Sequence, residues 1–146
     1  MASKLACQRA RSARGFTLIE LMIVAAIVAI LAVLAYPSYV QYVVRSNRAA
    51  AESFMQEVAA AQERFLLDNR AYAPDLATLQ YASSIPASVA SNYQFSFTAV
   101  TTAPPAYTLN ATPTGSQSSS DAACGTLGLS NTGSKTASGG ASNCWK

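Results

Sequence analysis

A single carboxylate, Glu20, directly precedes an uncharged apolar run that extends from Leu21 to Val44. An unpaired carboxylate in hydrocarbon costs on the order of 3 kcal/mol, so an acid at such a position is expected to have a function. A cation brought to the same depth would remove most of that cost. The sequence therefore predicts a positively charged partner for Glu20.

The apolar run is long enough to cross a bilayer core as one helix, which takes about 20 residues. Four basic residues and no acid occupy residues 1–15, here called the leader, whereas only Arg45 and Arg48 follow the run closely. This bias predicts that the leader stays in the cytoplasm. A secretory signal peptide is a poor alternative because residues 34–39 do not form a small-residue cleavage site. A plain membrane anchor is the other alternative.

The chemistry of an enzyme is not apparent in the sequence. It contains no histidine, the commonest general base and metal ligand. No phosphate-binding glycine loop and no nucleophile paired with a base is present, so neither catalysis nor a cofactor or metal is expected. Asp75 and Asp121 are isolated acids and are predicted to be solvated. A calcium site would need several acids near the C-terminus, where only Asp121 is found.

The two cysteines beyond the apolar run lie in a part of the chain that is expected outside the cytoplasm, in an oxidising compartment. Cys7 lies in the leader, and Cys124 and Cys144 form an even pair beyond the apolar run. An oxidising compartment permits a disulfide between them. Closing a loop of about 20 residues would contribute roughly 3 kcal/mol of stability. Two free thiols are the alternative.

Beyond Pro37 the apolar pattern indicates an amphipathic helix that ends near Asn69. Proline removes a backbone hydrogen bond inside a helix, so a kink is predicted at Pro37. Arg48 and Glu52 are four residues apart and could pair. The predicted apolar stripe is Ala50, Phe54, Val58, Ala61 and Phe65, and the predicted opposite face is Glu52, Gln56 and Glu63.

From Tyr93 the apolar period becomes two, which predicts strands after a loop at residues 69–92. Tyr93, Phe95 and Phe97 alternate with polar residues, and the serine-rich segment 114–121 is predicted to be a mobile loop. The predicted fold is α+β, with the second half of a long helix packed on a four-stranded antiparallel sheet. The predicted strands are 93–98, 107–111, 126–129 and 134–136.

Residues 14–20, which read Arg-Gly-Phe-Thr-Leu-Ile-Glu, resemble the processing site of type IV prepilins. The resemblance implies that a prepilin peptidase cuts after Gly15 and methylates the new amino group of Phe16. That amino group could meet Glu20 within one helix, but the resemblance favours the amino group of a neighbouring subunit. Glu20 would then set the axial register of assembly. The resemblance also implies the pilin fold, with a long helix curved at Pro37.

The same resemblance implies partners and a location. The partners are other pilin subunits in a homopolymer or mixed filament, the prepilin peptidase, and the assembly platform and motor proteins. The chain is expected as a single-pass inner-membrane protein with its C-terminus outside the cytoplasm, and afterwards in an extracellular pilus. The expected divisions are the leader 1–15, the membrane and filament-core half of the helix 16–44, the amphipathic half 45–70, the αβ loop 71–92, and the sheet with the disulfide region 93–146.

The segment from Cys124 to Trp145 resembles the C-terminal region of a pilin subgroup with minor pilins and a DNA-uptake receptor. Lys135, Trp145 and Lys146 could offer DNA two charges and a stacking face. Residues 71–146, here called the head, carry two bases against two acids, so weak DNA binding at most is expected. The main expectation is a structural pilus subunit for motility, adhesion or DNA uptake. A DNA receptor is the first alternative and a type II secretion pseudopilin is the second.

Overall fold

A computed structural model describes residues 15–145, so Lys146 and all of the leader except Gly15 lie outside the described residues. The chain contains two compact units, residues 1–38 and 39–146. Helix α1 spans Leu18–Asn69.

In the first unit, α1 presents apolar side chains that are exposed throughout residues 16–38. By length and composition, α1 could cross a membrane. Leu18 and Ile30 are 76% and 63% exposed, and such surfaces are stable only when lipid or other apolar groups cover them. Pro37 lies inside the helix, and the kink predicted there stays a prediction.

In the second unit, the buried face of α1 is wider than the predicted stripe. Phe54 and Val58 are buried as expected, but Phe65 is only half-buried. Glu52, which was predicted to face solvent, is 5% exposed, and that part of the prediction is wrong. The physical reason is that C-terminal segments, as well as the sheet, cover the helix on the side that carries Arg48.

The predicted four-stranded antiparallel sheet is present. Its strands, in spatial order, are β1 (Tyr93–Thr102), β2 (Pro105–Pro113), β3 (Leu127–Ser130) and β4 (Lys135–Ala137). Along β1, Tyr93 is buried and Phe95 and Phe97 are half-buried, while the residues between them are exposed. This alternation places one face of the sheet on the core and leaves the other in solvent.

Aromatic rings join α1 and the αβ loop to the sheet. The rings of Phe54 and Phe95 meet edge to face with centroids 4.8 Å apart. The ring of Tyr107 also meets the rings of Tyr72 and Phe97 edge to face, with centroids 4.7 Å and 5.6 Å apart, respectively. Such pairs contribute about 0.5–1.5 kcal/mol each beyond the area they bury. The core is therefore centred between the C-terminal half of α1 and strands β1 and β2.

The αβ loop is held to α1 by a buried side chain rather than by a strand. The side-chain amide of Gln62 donates to Ala73 O at 2.9 Å and its oxygen accepts from Ala73 N at 2.8 Å. A second anchor is the turn after Asp75, whose Oδ1 accepts hydrogen bonds from the backbone and hydroxyl of Thr78. Asp75 is exposed, as predicted. A short helix, α2 (Ala87–Ala90), completes the loop.

The serine-rich segment predicted to be a mobile loop forms helix α3 (Gly115–Ser120), so that prediction is wrong. Gln117 in this helix is 2% exposed. Its side chain hydrogen-bonds to Val44 O at 3.1 Å and to Tyr93 Oη at 3.0 Å. Composition indicates a loop here. The segment is helical because Gln117 forms buried hydrogen bonds with residues that are distant in the sequence.

Candidate functional site

The segment predicted to be processed lies at the start of α1 and is accessible. Phe16 is 80% exposed, and a side chain at Gly15 would meet no atom within 4 Å. Gly15, Phe16, Thr17 and Glu20 line one open groove of about 450 Å³. The structure thus brings the predicted cleavage site and the predicted assembly acid together on one surface.

Thr17 has a role that the sequence analysis missed. Its hydroxyl accepts a hydrogen bond from Glu20 N at 3.3 Å, and its carbonyl accepts from Leu21 N at 3.2 Å. Thr-x-x-Glu before an apolar run is the signature of a capping box, which was present in the sequence. Because Thr17 caps the start of α1, the helix begins after the Gly15–Phe16 bond. That bond therefore lies in non-helical backbone.

The predicted disulfide is present between Cys124 and Cys144, with Cα atoms 5.4 Å apart and a sequence separation of 20. Both cysteines are buried, at 4% and 2% exposure. The loop that it closes contains β3 and β4. The disulfide therefore joins the two ends of the segment that contains the last two strands.

Two of the three residues predicted to contact DNA lie together in the disulfide loop and beside it. Lys135 Nζ lies 5.2 Å from the ring centroid of Trp145, within the range of a cation–π interaction. Trp145 Nε1 donates to Thr136 O at 2.8 Å, which fixes the ring against β4. The third residue, Lys146, lies outside the described part of the chain.

Asp121 was predicted to be solvated, and that prediction is wrong. It is 4% exposed, and its Oδ1 forms an ion pair with Arg48 Nη2 at 3.2 Å. Arg48 Nη1 also lies 2.8 Å from Cys124 Sγ and donates to Asn143 O at 3.1 Å. Because burial of an unpaired charge is costly, each group requires the other. The sequence places Arg48 one helical turn after Val44 on α1, but it does not indicate Asp121 as the partner.

The buried ion pair continues into a hydrogen-bonded network. Gln117 Nε2 donates to Asp121 Oδ2 at 3.3 Å, and Tyr93 Oη donates to the same oxygen at 3.2 Å. Burial raises the pKa of the Tyr93 hydroxyl well above its usual value, and the nearby carboxylate of Asp121 adds to this effect. The hydroxyl therefore stays protonated as a donor. The burial of Gln117 was not predicted, because the period of apolar residues along a segment does not show which amide side chains are buried.

This network changes the charge that the head presents. Among residues 71–145, the charged side chains are Asp75, Asp121 and Lys135. Arg48 compensates Asp121 in the interior, so Asp75 is the one acid of this part that stays on the surface. The described residues contain no group of three or more histidines, cysteines and acids that could hold a metal ion.

Two family models match the chain. Residues 10–36 match a family model described as the prokaryotic N-terminal methylation motif. This motif, with the exposed apolar helix, identifies the chain as an inner-membrane prepilin that assembles into an extracellular pilus. No individually curated protein matches the chain.

A second family model, described as type IV minor pilin ComP, DNA uptake sequence receptor, matches residues 37–128. The match extends from Pro37 of α1 into β3 and covers more than half of the sequence. Pilin families consist of structural and receptor proteins rather than enzymes. The chain therefore belongs to the family of type IV minor pilins that this model describes.

Proposed function

We propose that this minor pilin binds DNA through its head and serves as a receptor in DNA uptake. The observation that carries the proposal is the match of residues 37–128 to a family model described as a DNA uptake sequence receptor. The matched segment includes β1, β2, α3 and the first two residues of β3. The proposal adds a receptor role to the pilus subunit that the sequence predicts, and both roles are compatible with the family match.

The buried ion pair supports this choice over the weak binding expected from the sequence. That expectation counted Asp121 against the two lysines of the head. Because Arg48 compensates Asp121 in the interior, its charge does not oppose DNA at the surface. Asp75 remains, and it lies in the αβ loop rather than in the disulfide loop. Between Cys124 and Cys144, the sequence of the disulfide loop contains Lys135 and no acid.

We expect Lys135 and Trp145 to form part of the DNA contact. Lys135 is exposed and would contact a phosphate, while Trp145 holds the amine over its ring. Hydrogen-bonding of the indole to Thr136 fixes both groups on β4. A phosphate contact of this kind supplies affinity but carries no sequence information. Sequence recognition would require further groups of the head.

The test uses the full-length protein in detergent micelles and fluorescently labelled duplexes, one from the cell's own genomic DNA and one scrambled. Binding should weaken as salt rises from about 50 to 200 mM. Lys135→Ala should reduce the slope of log K against log salt by about 0.9, and Lys135→Arg should retain it. Absence of binding to either duplex at the lowest salt would contradict the receptor role.

We also propose that the chain is cut after Gly15, methylated on Phe16 and assembled through Glu20. The exposed Gly15 and the cap at Thr17 support cleavage at this bond, since a peptidase requires extended backbone. Glu20 is exposed in the first turn of α1, where the carboxylate is accessible to the amino terminus of a neighbouring subunit.

A further inference from the structure

The two edges of the sheet differ in length and in protection. Strand β4 has three residues and carries Lys135, which are features that discourage pairing with another strand. Strand β1, at the other edge, has ten residues. Within the described residues, β2 is the one strand that pairs with β1. The outer side of β1 therefore offers backbone groups to an additional strand.

The sequence of β1 lacks the usual protection of an edge. It contains no charged residue, no glycine and no proline between Tyr93 and Thr102, and it is rich in aromatic residues and threonine. The register shifts between Thr98 and Thr101, and such an irregularity discourages pairing at that end. The segment from Tyr93 to Thr98 is regular, and six residues suffice for a short added strand.

A groove of about 440 Å³ runs beside this segment, between β1 and the αβ loop. Its apolar lining comes from both sides, and Asp75 is the charged residue among the residues that line it. Asp75 forms no ion pair within the described part of the chain, and hydrogen bonds from Thr78 lower the pKa of its carboxyl. The carboxylate is therefore negative at neutral pH. The apolar lining includes Leu76, Ala82, Ile85, Phe95 and Phe97.

We propose that β1 binds an extended segment of a partner polypeptide as an added strand, and that a lysine or arginine of this segment occupies the groove. The unpaired edge would supply backbone hydrogen bonds, which give affinity without much sequence preference. The groove would supply specificity, because its apolar walls fit the stem of a basic side chain and Asp75 matches the charge.

A second copy of this chain fits the edge less well. Pairing of β1 with β1 would bring uncharged residues to the groove and would leave Asp75 without a cation. A strand with an exposed basic residue could pair with the backbone of β1 and also place a cation beside Asp75. This surface is separate from the disulfide loop, so the proposal does not depend on DNA binding.

The test uses a synthetic peptide with blocked ends, Thr-Val-Thr-Lys-Thr-Val-Thr, and the full-length protein in detergent micelles. Binding is measured by fluorescence anisotropy of labelled peptide, and the contact is located by shifts of amide NMR signals. We expect saturable binding with shifts at residues 93–98. A matched peptide with glutamate in place of lysine should bind more weakly, because it meets Asp75 with the same charge.

Two variants locate the binding to the groove. Ala82→Trp fills the groove and should abolish binding, whereas Ala60→Trp, at an exposed position of α1, should leave it unchanged. Asp75→Asn keeps an oxygen for the Thr78 turn but removes the charge, and should weaken the lysine peptide by up to about fivefold. Equal binding of the two peptides, or binding unaffected by Ala82→Trp, would overturn the proposal. A dimer of the protein that Ala82→Trp abolishes, without peptide binding, would also overturn it.

Discussion

Arg48 Nη2 and Asp121 Oδ1 lie 3.2 Å apart in the interior, with 10% and 4% of their side chains exposed. The pair joins the middle of α1 to the residue that ends α3. The same guanidinium contacts Cys124 Sγ and donates to Asn143 O. One side chain of the helix therefore holds both ends of the disulfide loop.

Replacement of Arg48 by methionine should destabilise the head strongly. The change leaves Asp121 buried without a cation, and loss of one member of a buried pair costs about 3–5 kcal/mol. The measurement is denaturant unfolding of the full-length protein in detergent, followed by near-ultraviolet circular dichroism. Arg45→Met is the matched control, because Arg45 is exposed on the same helix and should change stability by less than about 0.5 kcal/mol.

The double variant Arg48→Met/Asp121→Leu separates the two contributions. Removal of both charges eliminates the uncompensated carboxylate, so part of the lost stability should return. If the double variant is less stable than Arg48→Met alone, the loss of the hydrogen bonds that Tyr93 and Gln117 donate to Asp121 outweighs the removal of the uncompensated charge.

The disulfide should be complete in the assembled protein. Mature protein from purified fibres, denatured without reductant, should show no titratable thiol. Cys124→Ser/Cys144→Ser should lower the free energy of unfolding by roughly 3 kcal/mol, the value expected for a loop of this length. Two titratable thiols per chain in the denatured fibre protein would refute the assigned bond.

Two variants of the N-terminal segment should affect cleavage and assembly independently. Gly15→Leu should block cleavage, because a bulky side chain would stand at the bond to be cut. Glu20→Ala should leave cleavage largely intact and should impair assembly. Mass spectrometry of wild-type fibres should find a subunit that begins at a methylated Phe16. An intact leader or an unmodified Phe16 would contradict the assignment, and normal fibres from Glu20→Ala would contradict the role of the carboxylate.

The stability of the head should fall in alkaline solution because two buried phenols resist ionisation. Burial raises the pKa of Tyr107 to about 12, with Glu63 contributing, and that of Tyr93 is also raised. Above the usual tyrosine pKa of about 10, the folded state holds more protons than the unfolded state, so stability falls as pH rises. Each group contributes a slope of up to about 1.4 kcal/mol per pH unit.

Tyr107→Phe should make this decline shallower between about pH 10 and 12, as measured by urea unfolding at a series of pH values. Phe54→Leu is the control, because Phe54 is buried but has no ionisable group, so its replacement should leave the slope unchanged. An identical slope in wild type and Tyr107→Phe would show that the phenol is not linked to folding.

Local patterns were sufficient for α1, for the four strands and for the N-terminal motif. Alternation at Tyr93, Phe95 and Phe97 predicted β1, and turn residues separated the remaining strands of the four-stranded sheet. The apolar run predicted the exposed first half of α1. Each of these signals depends on neighbours in the sequence, such as the period of a strand or the length of a membrane span.

The interior polar network depended on contacts between distant residues, and only the tertiary structure placed it. Nothing near Asp121 in the sequence indicates that Arg48, 73 residues earlier, compensates its charge. Gln117 lies in a serine-rich segment that composition assigns to a loop, yet its buried hydrogen bonds order a helix. Periodicity reports which face of an element is apolar. Which polar side chains are buried is decided by the partners that folding brings to them, since a buried charge or amide is stable only when paired.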